Sequence, residues 1–128
     1  MPAPAGSRVL VVDDEENIRE LLTEFLGLRG YDVVQAATAV AALAAAREQS
    51  PDVVLLDLNL RGSISGVEAL RTLVRSTHVI VVSGTQDTEL ARATLAEGAF
   101  DYVTKPFDLG RVADVVAAAI LHGGGTPP

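Results

Sequence analysis

Four acidic residues follow an apolar run near the amino terminus. Residues 9–12 are VLVV, the pattern of a strand that is covered on both faces, and residues 13–16 are DDEE. Asp13 and Asp14 therefore stand at the carboxyl end of the predicted strand. Ligands bind at this edge of open α/β sheets, so the two carboxylates are candidate cation ligands.

Three more polar residues stand where other apolar runs end. Asp57 follows VVLL, Ser83 follows VIVV, and Lys105 follows YVT. If these strands are parallel, three carboxylates, a hydroxyl and an ammonium group meet at one edge of the sheet.

The charges in this group restrict its chemistry. Two carboxylates about 4 Å apart repel by about 4 kcal/mol at an effective dielectric constant of about 20, and one lysine cannot cancel three such pairs. Either a carboxylate keeps its proton or a divalent cation binds, and an oxygen-only site with room for water and phosphate favours Mg²⁺. An Asp carboxylate could then attack phosphorus while Ser83 and Lys105 contact the phosphoryl oxygens, which predicts an aspartyl phosphate.

Strand-like and helix-like segments alternate along the chain. The predicted strands are Val9–Val12, Val33–Ala36, Val53–Leu56, Val79–Val82 and Tyr102–Thr104. Stretches of helix-forming residues lie between them, namely a first helix that ends at Gly30 and residues 37–50, 66–76, 88–98 and 109–123. Strict alternation predicts an α/β domain with a parallel sheet and helices on both faces.

Two helices carry more detailed expectations. The first is expected to place its apolar residues on one face, namely Ile18, Leu21, Leu22, Phe25 and Leu28. In the fourth helix the apolar residues spread around the axis, so we expect Leu90 or Leu95 to be exposed. Such a leucine could bind a partner, or it could be a partly exposed leucine without a function.

Composition narrows the classes of function. The chain has 128 residues, 48% of them hydrophobic, which predicts one domain with a substantial core. A net charge of −7 argues against direct nucleic-acid binding, and the absence of cysteine leaves only oxygen or histidine as metal ligands. No apolar run has the length of a signal peptide core or a membrane span, so we expect a cytoplasmic protein with no membrane contact.

The ends of the chain differ from its middle in composition. We expect a flexible tail over residues 1–7, one domain over residues 8–122, and a second tail or the start of a linker over residues 123–128.

The order of the polar residues resembles the receiver domain of bacterial two-component response regulators. The resemblance runs from about Arg8 to Leu121 and rests on the Asp13–Asp14 pair, Asp57, Ser83 and the Lys105–Pro106 step. It implies a flavodoxin-like (βα)5 fold, a doubly wound five-stranded parallel sheet in the order 2-1-3-4-5.

The resemblance also implies a function. Asp57 would accept a phosphoryl group from a sensor histidine kinase or a phosphotransfer protein. The domain would catalyse only this transfer to its own Asp and the slow loss of the phosphoryl group. Mg²⁺ would be held by Asp14 directly, by Asp13 through water, by Asp57, and by the backbone carbonyl of Asn59.

The remaining roles concern signalling. Lys105 would bind the phosphoryl group, and the bond to Pro106 would be cis. Ser83 would be the switch hydroxyl and Tyr102 the switch aromatic, turning inward when Asp57 is phosphorylated. An output domain or protein would bind the face formed by the fourth helix, fifth strand and fifth helix, and a phosphorylation-dependent homodimer is an open possibility.

The sequence departs from the family pattern beside the phosphoacceptor. Arg61 stands where most members have a proline, and the loop RGSISG is one residue longer. Arg61 could reach the phosphoryl group or be solvated. The connection before the fourth strand is also shorter than is usual in the family, so the third helix is expected to end early or its turn to be tight. Asn59 and Thr85 occupy positions that influence the lifetime of the phosphoryl group in the family, but the sequence does not set that lifetime.

Three other functions fit parts of the pattern. A haloacid-dehalogenase-like phosphatase also uses a strand-end Asp with Mg²⁺, but it needs a second Asp where this chain has Asn59. A degenerate receiver that serves only as a docking module would have lost acids or the lysine. A flavodoxin-like flavin binder would need a phosphate-binding loop after the first strand, where acids stand instead.

Overall fold

The computed structural model describes residues 6–60, 62–84 and 88–123. The strands are β1 (Arg8–Val12), β2 (Asp32–Ala36), β3 (Val53–Asp57), β4 (His78–Ser83) and β5 (Asp101–Thr104). The helices are α1 (Glu16–Leu28), α2 (Ala39–Gln49), α3 (Gly66–Leu73), α4 (Thr88–Ala96) and α5 (Leu109–Gly123). The predicted alternation of five strands and five helices is confirmed.

The five strands form one parallel sheet in the order β2-β1-β3-β4-β5. The predicted order is therefore confirmed. β1 lies between β2 and β3, and β4 separates β3 from β5. The carboxyl ends of β1, β3, β4 and β5 consequently lie side by side along one edge, where the predicted site residues stand.

Helices cover both faces of the sheet. α1 and α5 pack on one face, around a core that includes Leu26 and Val116, and α2, α3 and α4 pack on the other, around a core that includes Leu10 and Leu70. The three central strands are almost continuously buried, because helices exclude water from both of their faces.

The expected apolar face of α1 is wrong in part. Leu22 and Leu26 are the buried residues of this helix, while Leu21 is 44% exposed and Leu28 is 83% exposed. Five positions spread over one side of a helix cover a wider arc than the sheet can bury, so the outer two remain in solvent.

Two other expectations about helices are met. α3 ends at Leu73, three residues before the end of its predicted segment, and turns over residues 74–76 connect it to β4. In α4, Leu95 is 45% exposed, whereas Leu90 packs against the core.

The predicted tails lie largely outside the described residues, so the expected domain limits stay a prediction. Within the described ranges, no helix combines the length and the apolar character needed to cross a bilayer.

Candidate functional site

The candidate site lies at the carboxyl edge of the sheet. Asp57 is the last residue of β3 and pairs with Val82, and Ser83 is the last residue of β4. Asp13 directly follows β1, and its backbone N–H donates to the carbonyl of Ala36 on β2 at 3.2 Å. The sheet thus brings together residues that are far apart in sequence.

Three carboxylates form an acidic cluster. Asp13, Asp14 and Asp57 each have a carboxylate oxygen within 4.8 Å of the others. Asp13 is 2% exposed and Asp57 is 4% exposed, while Asp14 is half-buried. A hard, oxygen-only donor set of this kind could bind a metal ion.

Asp13 and Asp57 each accept a hydrogen bond from the backbone two residues later. Oδ1 of Asp57 accepts the backbone N–H of Asn59 at 2.9 Å, and Oδ1 of Asp13 accepts that of Glu15 at 2.9 Å. These bonds across two residues are typical of Asp at the start of a turn. Each carboxylate fixes its loop with one oxygen and directs the other, Oδ2, toward Lys105.

Lys105 joins the two buried carboxylates. Its Nζ donates to Oδ2 of Asp13 at 2.7 Å and to Oδ2 of Asp57 at 3.2 Å, and its side chain is 18% exposed. The backbone N–H of Lys105 donates to the carbonyl of Ser83 at 2.8 Å, which fixes the end of β5 against β4. The peptide bond from Lys105 to Pro106 is cis.

The electrostatic balance of the cluster is reflected in two pKa shifts. Burial raises the pKa of Asp57, and the Asn59 hydrogen bond and the Lys105 charge only partly oppose that effect. Burial alone would lower the pKa of Lys105, but its hydrogen bond to Asp13 and the charge of Asp57 raise it instead. The site therefore holds a fixed cation beside a carboxylate whose ionised form is disfavoured.

The chain with this site matches a known protein family. The model of the response regulator receiver domain matches residues 9–117. The chain belongs to the response regulator receiver family.

Individual receiver-containing proteins show the extent of the similarity. The transcriptional regulatory protein KdpE of Mycobacterium tuberculosis is 43% identical over 114 residues, which are 88% of this chain and 50% of that protein. The sporulation initiation phosphotransferase F of Bacillus subtilis is 32% identical, over 87% of this chain and 91% of that protein. The crystal structure of the receiver domain of NtrX from Brucella abortus superposes with a TM-score of 0.83 at 34% identity, over 88% of this chain and 98% of the other. The chain thus spans about half the length of KdpE and nearly all of phosphotransferase F.

The two expected switch residues of this receiver domain lie on one side of the sheet. Ser83 is fully buried and pairs with Thr104, and Tyr102 pairs with Val81, so the alternation of side chains puts Ser83 and Tyr102 on the same face. Tyr102 is half-buried and packs against the core beneath α2, α3 and α4.

The loop after β3, which is expected to depart from the family pattern, is anchored where α3 begins. A Cβ on Gly66 would clash with the backbone carbonyl of Leu58, so only glycine fits there. Ser65 accepts the backbone N–H of Glu68 at 3.1 Å, and the Glu68 side chain accepts that of Ser65 at 3.3 Å. The loop is therefore fixed at both ends; Arg61 and Thr85, whose roles the sequence left open, lie outside the described residues.

The sequence patterns did not predict one residue that contacts the site. Nη1 of Arg19, on α1, donates to the backbone carbonyl of Asp13 at 2.8 Å. The available signal was a cation six residues after Asp13, close enough on the first turns of the helix to fold back over the loop.

Proposed function

We propose that this receiver domain accepts a phosphoryl group on Asp57, with Mg²⁺ held by Asp13, Asp14, Asp57 and the backbone carbonyl of Asn59. The observation that carries the proposal is the buried arrangement of three carboxylates within 4.8 Å of one another, with Lys105 on two of them. When bound, the cation would offset the negative charge of the carboxylates and of the incoming phosphoryl group.

The chemistry is one substitution at phosphorus. An Asp57 oxygen forms a P–O bond while the P–N bond to the donor's imidazole breaks, and the imidazole, protonated on its other nitrogen, leaves as a neutral ring. Lys105 and Ser83 donate to the phosphoryl oxygens. We infer that the domain catalyses only this transfer and the slow hydrolysis of its own acyl phosphate.

We propose that a sensor histidine kinase or phosphotransfer protein approaches over the surface beside Lys105. Ile18 and Leu21 on α1, together with Pro106, Phe107 and Lys105, line a cleft of about 390 Å³. This apolar surface is continuous with the rim on which Asp57 stands, so a protein bound there can bring a phosphohistidine to Asp57.

Signal output is proposed to involve the opposite side of the site. Leu95 on α4 and Leu121 on α5 are 45% and 46% exposed, and β5, which carries Tyr102, is the edge strand between these helices. A phosphoryl group on Asp57 would draw the Ser83 hydroxyl toward it and let Tyr102 turn inward. The α4-β5-α5 face would then bind an output domain, an output protein or a second copy of this chain.

The proposed function is tested by intact mass after incubation with acetyl phosphate. We expect one phosphoryl adduct in the presence of Mg²⁺ and none with EDTA or in the Asp57→Asn variant. The absence of an adduct in the wild-type chain would contradict the proposal and favour the docking-module alternative.

A further inference from the structure

Arg19 contacts the backbone of the loop that carries two of the three carboxylates. Its guanidinium donates to the backbone carbonyl of Asp13 at 2.8 Å. The Arg19 side chain therefore ties the first turns of α1 to the start of the loop after β1.

The hydrogen bond from Arg19 complements the hydrogen bond that the Asp13 carboxylate accepts. The bond from Glu15 N–H to Oδ1 of Asp13 closes the loop but occupies one oxygen of that carboxylate. The Arg19 bond acts on the backbone, so Oδ2 of Asp13 stays directed toward Lys105 and Asp57. A hydrogen bond from a charged donor in a half-buried setting is among the stronger polar contacts in proteins.

We propose that Arg19 is a positioning residue for the cation site. It holds the loop after β1 so that the Asp13 and Asp14 carboxylates face Asp57, and it does so without touching the metal or the phosphoryl group. The inference rests on the proposed function, since it assumes that the acidic cluster binds Mg²⁺. Residues that orient metal ligands commonly change metal affinity by about tenfold or more when they are replaced.

The test is a Mg²⁺ titration followed by thermal unfolding of the whole chain. Arg19→Met keeps the length of the side chain but removes its donors, and Arg47→Met, on the exposed end of α2, is the matched control. We expect the Mg²⁺ concentration needed for a given rise in Tm to increase about tenfold in Arg19→Met and to be unchanged in Arg47→Met.

The rise in Tm on adding Mg²⁺ separates positioning from a merely structural role. A structural role would lower the Tm of Arg19→Met equally with and without Mg²⁺. If the same Mg²⁺ concentration gives the same rise in Tm in Arg19→Met as in the wild type, the inference is overturned. If Arg19→Met does not fold, Arg19→Gln is judged by the same criterion. A wild-type chain whose Tm does not respond to Mg²⁺ would contradict the proposed function itself.

Discussion

At the scale of single residues, the site is a balance between buried negative charges and one cation. Lys105 is the only lysine in the chain, and it contacts two carboxylates that are each less than 5% exposed. Because burial raises the pKa of Asp57 despite this contact, its ionised form is held in an unfavourable environment when no divalent cation is bound. Residues arranged for function often reduce stability in this way.

Replacing Asp57 with a neutral isostere should therefore stabilise the cation-free protein. Asp57→Asn removes the repulsion with Asp13 and leaves Lys105 its shorter contact, to Asp13 at 2.7 Å. We expect about 1 kcal/mol of added stability, or a rise in Tm of about 4 °C, measured with EDTA present. Asp114→Asn, at an exposed position of α5, is the control and should leave Tm nearly unchanged. A lower Tm in Asp57→Asn would show that the ionised carboxylate is a net stabilising group.

At the scale of elements, the start of α3 depends on one close approach. Gly66 lies against the backbone of Leu58, the residue that follows Asp57. A change at Gly66 consequently acts on the loop that supports Asp57.

Two glycine substitutions should have opposite effects. Gly66→Ala forces backbone to move and is expected to lower the free energy of unfolding by about 2 kcal/mol. Gly27→Ala, within α1 and with no atom within 4 Å of the added Cβ, is expected to raise it by about 0.5 kcal/mol. Urea unfolding measures both, and equal effects of the two substitutions would contradict the role of the Leu58 contact.

The opposite end of the sheet holds a histidine pair. His78 begins β4 and His122 stands near the end of α5; their ring centroids are 5.6 Å apart, and each contacts Phe100. Burial, followed by the charge of His122, lowers the pKa of His78 from its ordinary value of 6.5.

The contribution of His78 to the stability of the fold should consequently fall as the pH falls. The unfolded chain takes up the His78 proton first, so the stability present above the ordinary pKa is lost as the pH falls through the lower pKa of the folded state. We expect His78→Phe to lose less stability than the wild type between about pH 7.5 and about pH 5.5, with His122→Asn intermediate. Identical pH profiles by urea unfolding would contradict this coupling.

Strand boundaries and the meeting of the site residues at one edge of the sheet were predictable from sequence, whereas individual side-chain contacts between elements were not. The central strands have continuous apolar runs because they are buried on both faces, and acidic or small residues follow these runs. The predicted strands therefore match the observed strands to within one residue at each end. The wrong face of α1 arose because Leu21 and Leu28 satisfy helical spacing without reaching the sheet. The Arg19–Asp13 bond depends on the direction of the Arg19 side chain, which its spacing from Asp13 allows but does not fix. The His78–His122 contact depends on the order of the elements, which no local pattern encodes.

At the scale of the whole molecule, exposed apolar side chains lie in two places that concern the proposed function. Leu21 lines the cleft beside Lys105, and Leu95 and Leu121 stand on α4 and α5. Under the proposed function, the first receives the phosphoryl donor and the second transmits the outcome.

A charge at Leu21, in the cleft proposed to bind the phosphoryl donor, should impair phosphoryl transfer from a protein. It should spare phosphoryl transfer from a small molecule. We expect Leu21→Glu to slow phosphotransfer from a histidine kinase that phosphorylates the wild-type chain by about tenfold, because it buries a charge in the interface. Leu28→Glu, at the far end of α1, is the control and should transfer normally. Equal loss with acetyl phosphate would place the defect in the site itself.

Under the proposed function, Asp57 receives the phosphoryl group and its two acidic neighbours do not. Asp13 is as buried as Asp57 and contacts the same lysine, so the distinction requires a direct assignment. Borohydride reduces an acyl phosphate to an alcohol and leaves free carboxylates intact, and peptide mass spectrometry then locates the reduced residue. We predict homoserine at position 57 alone after phosphorylation with Mg²⁺. Homoserine at position 13 or 14 in the wild-type chain would contradict the account.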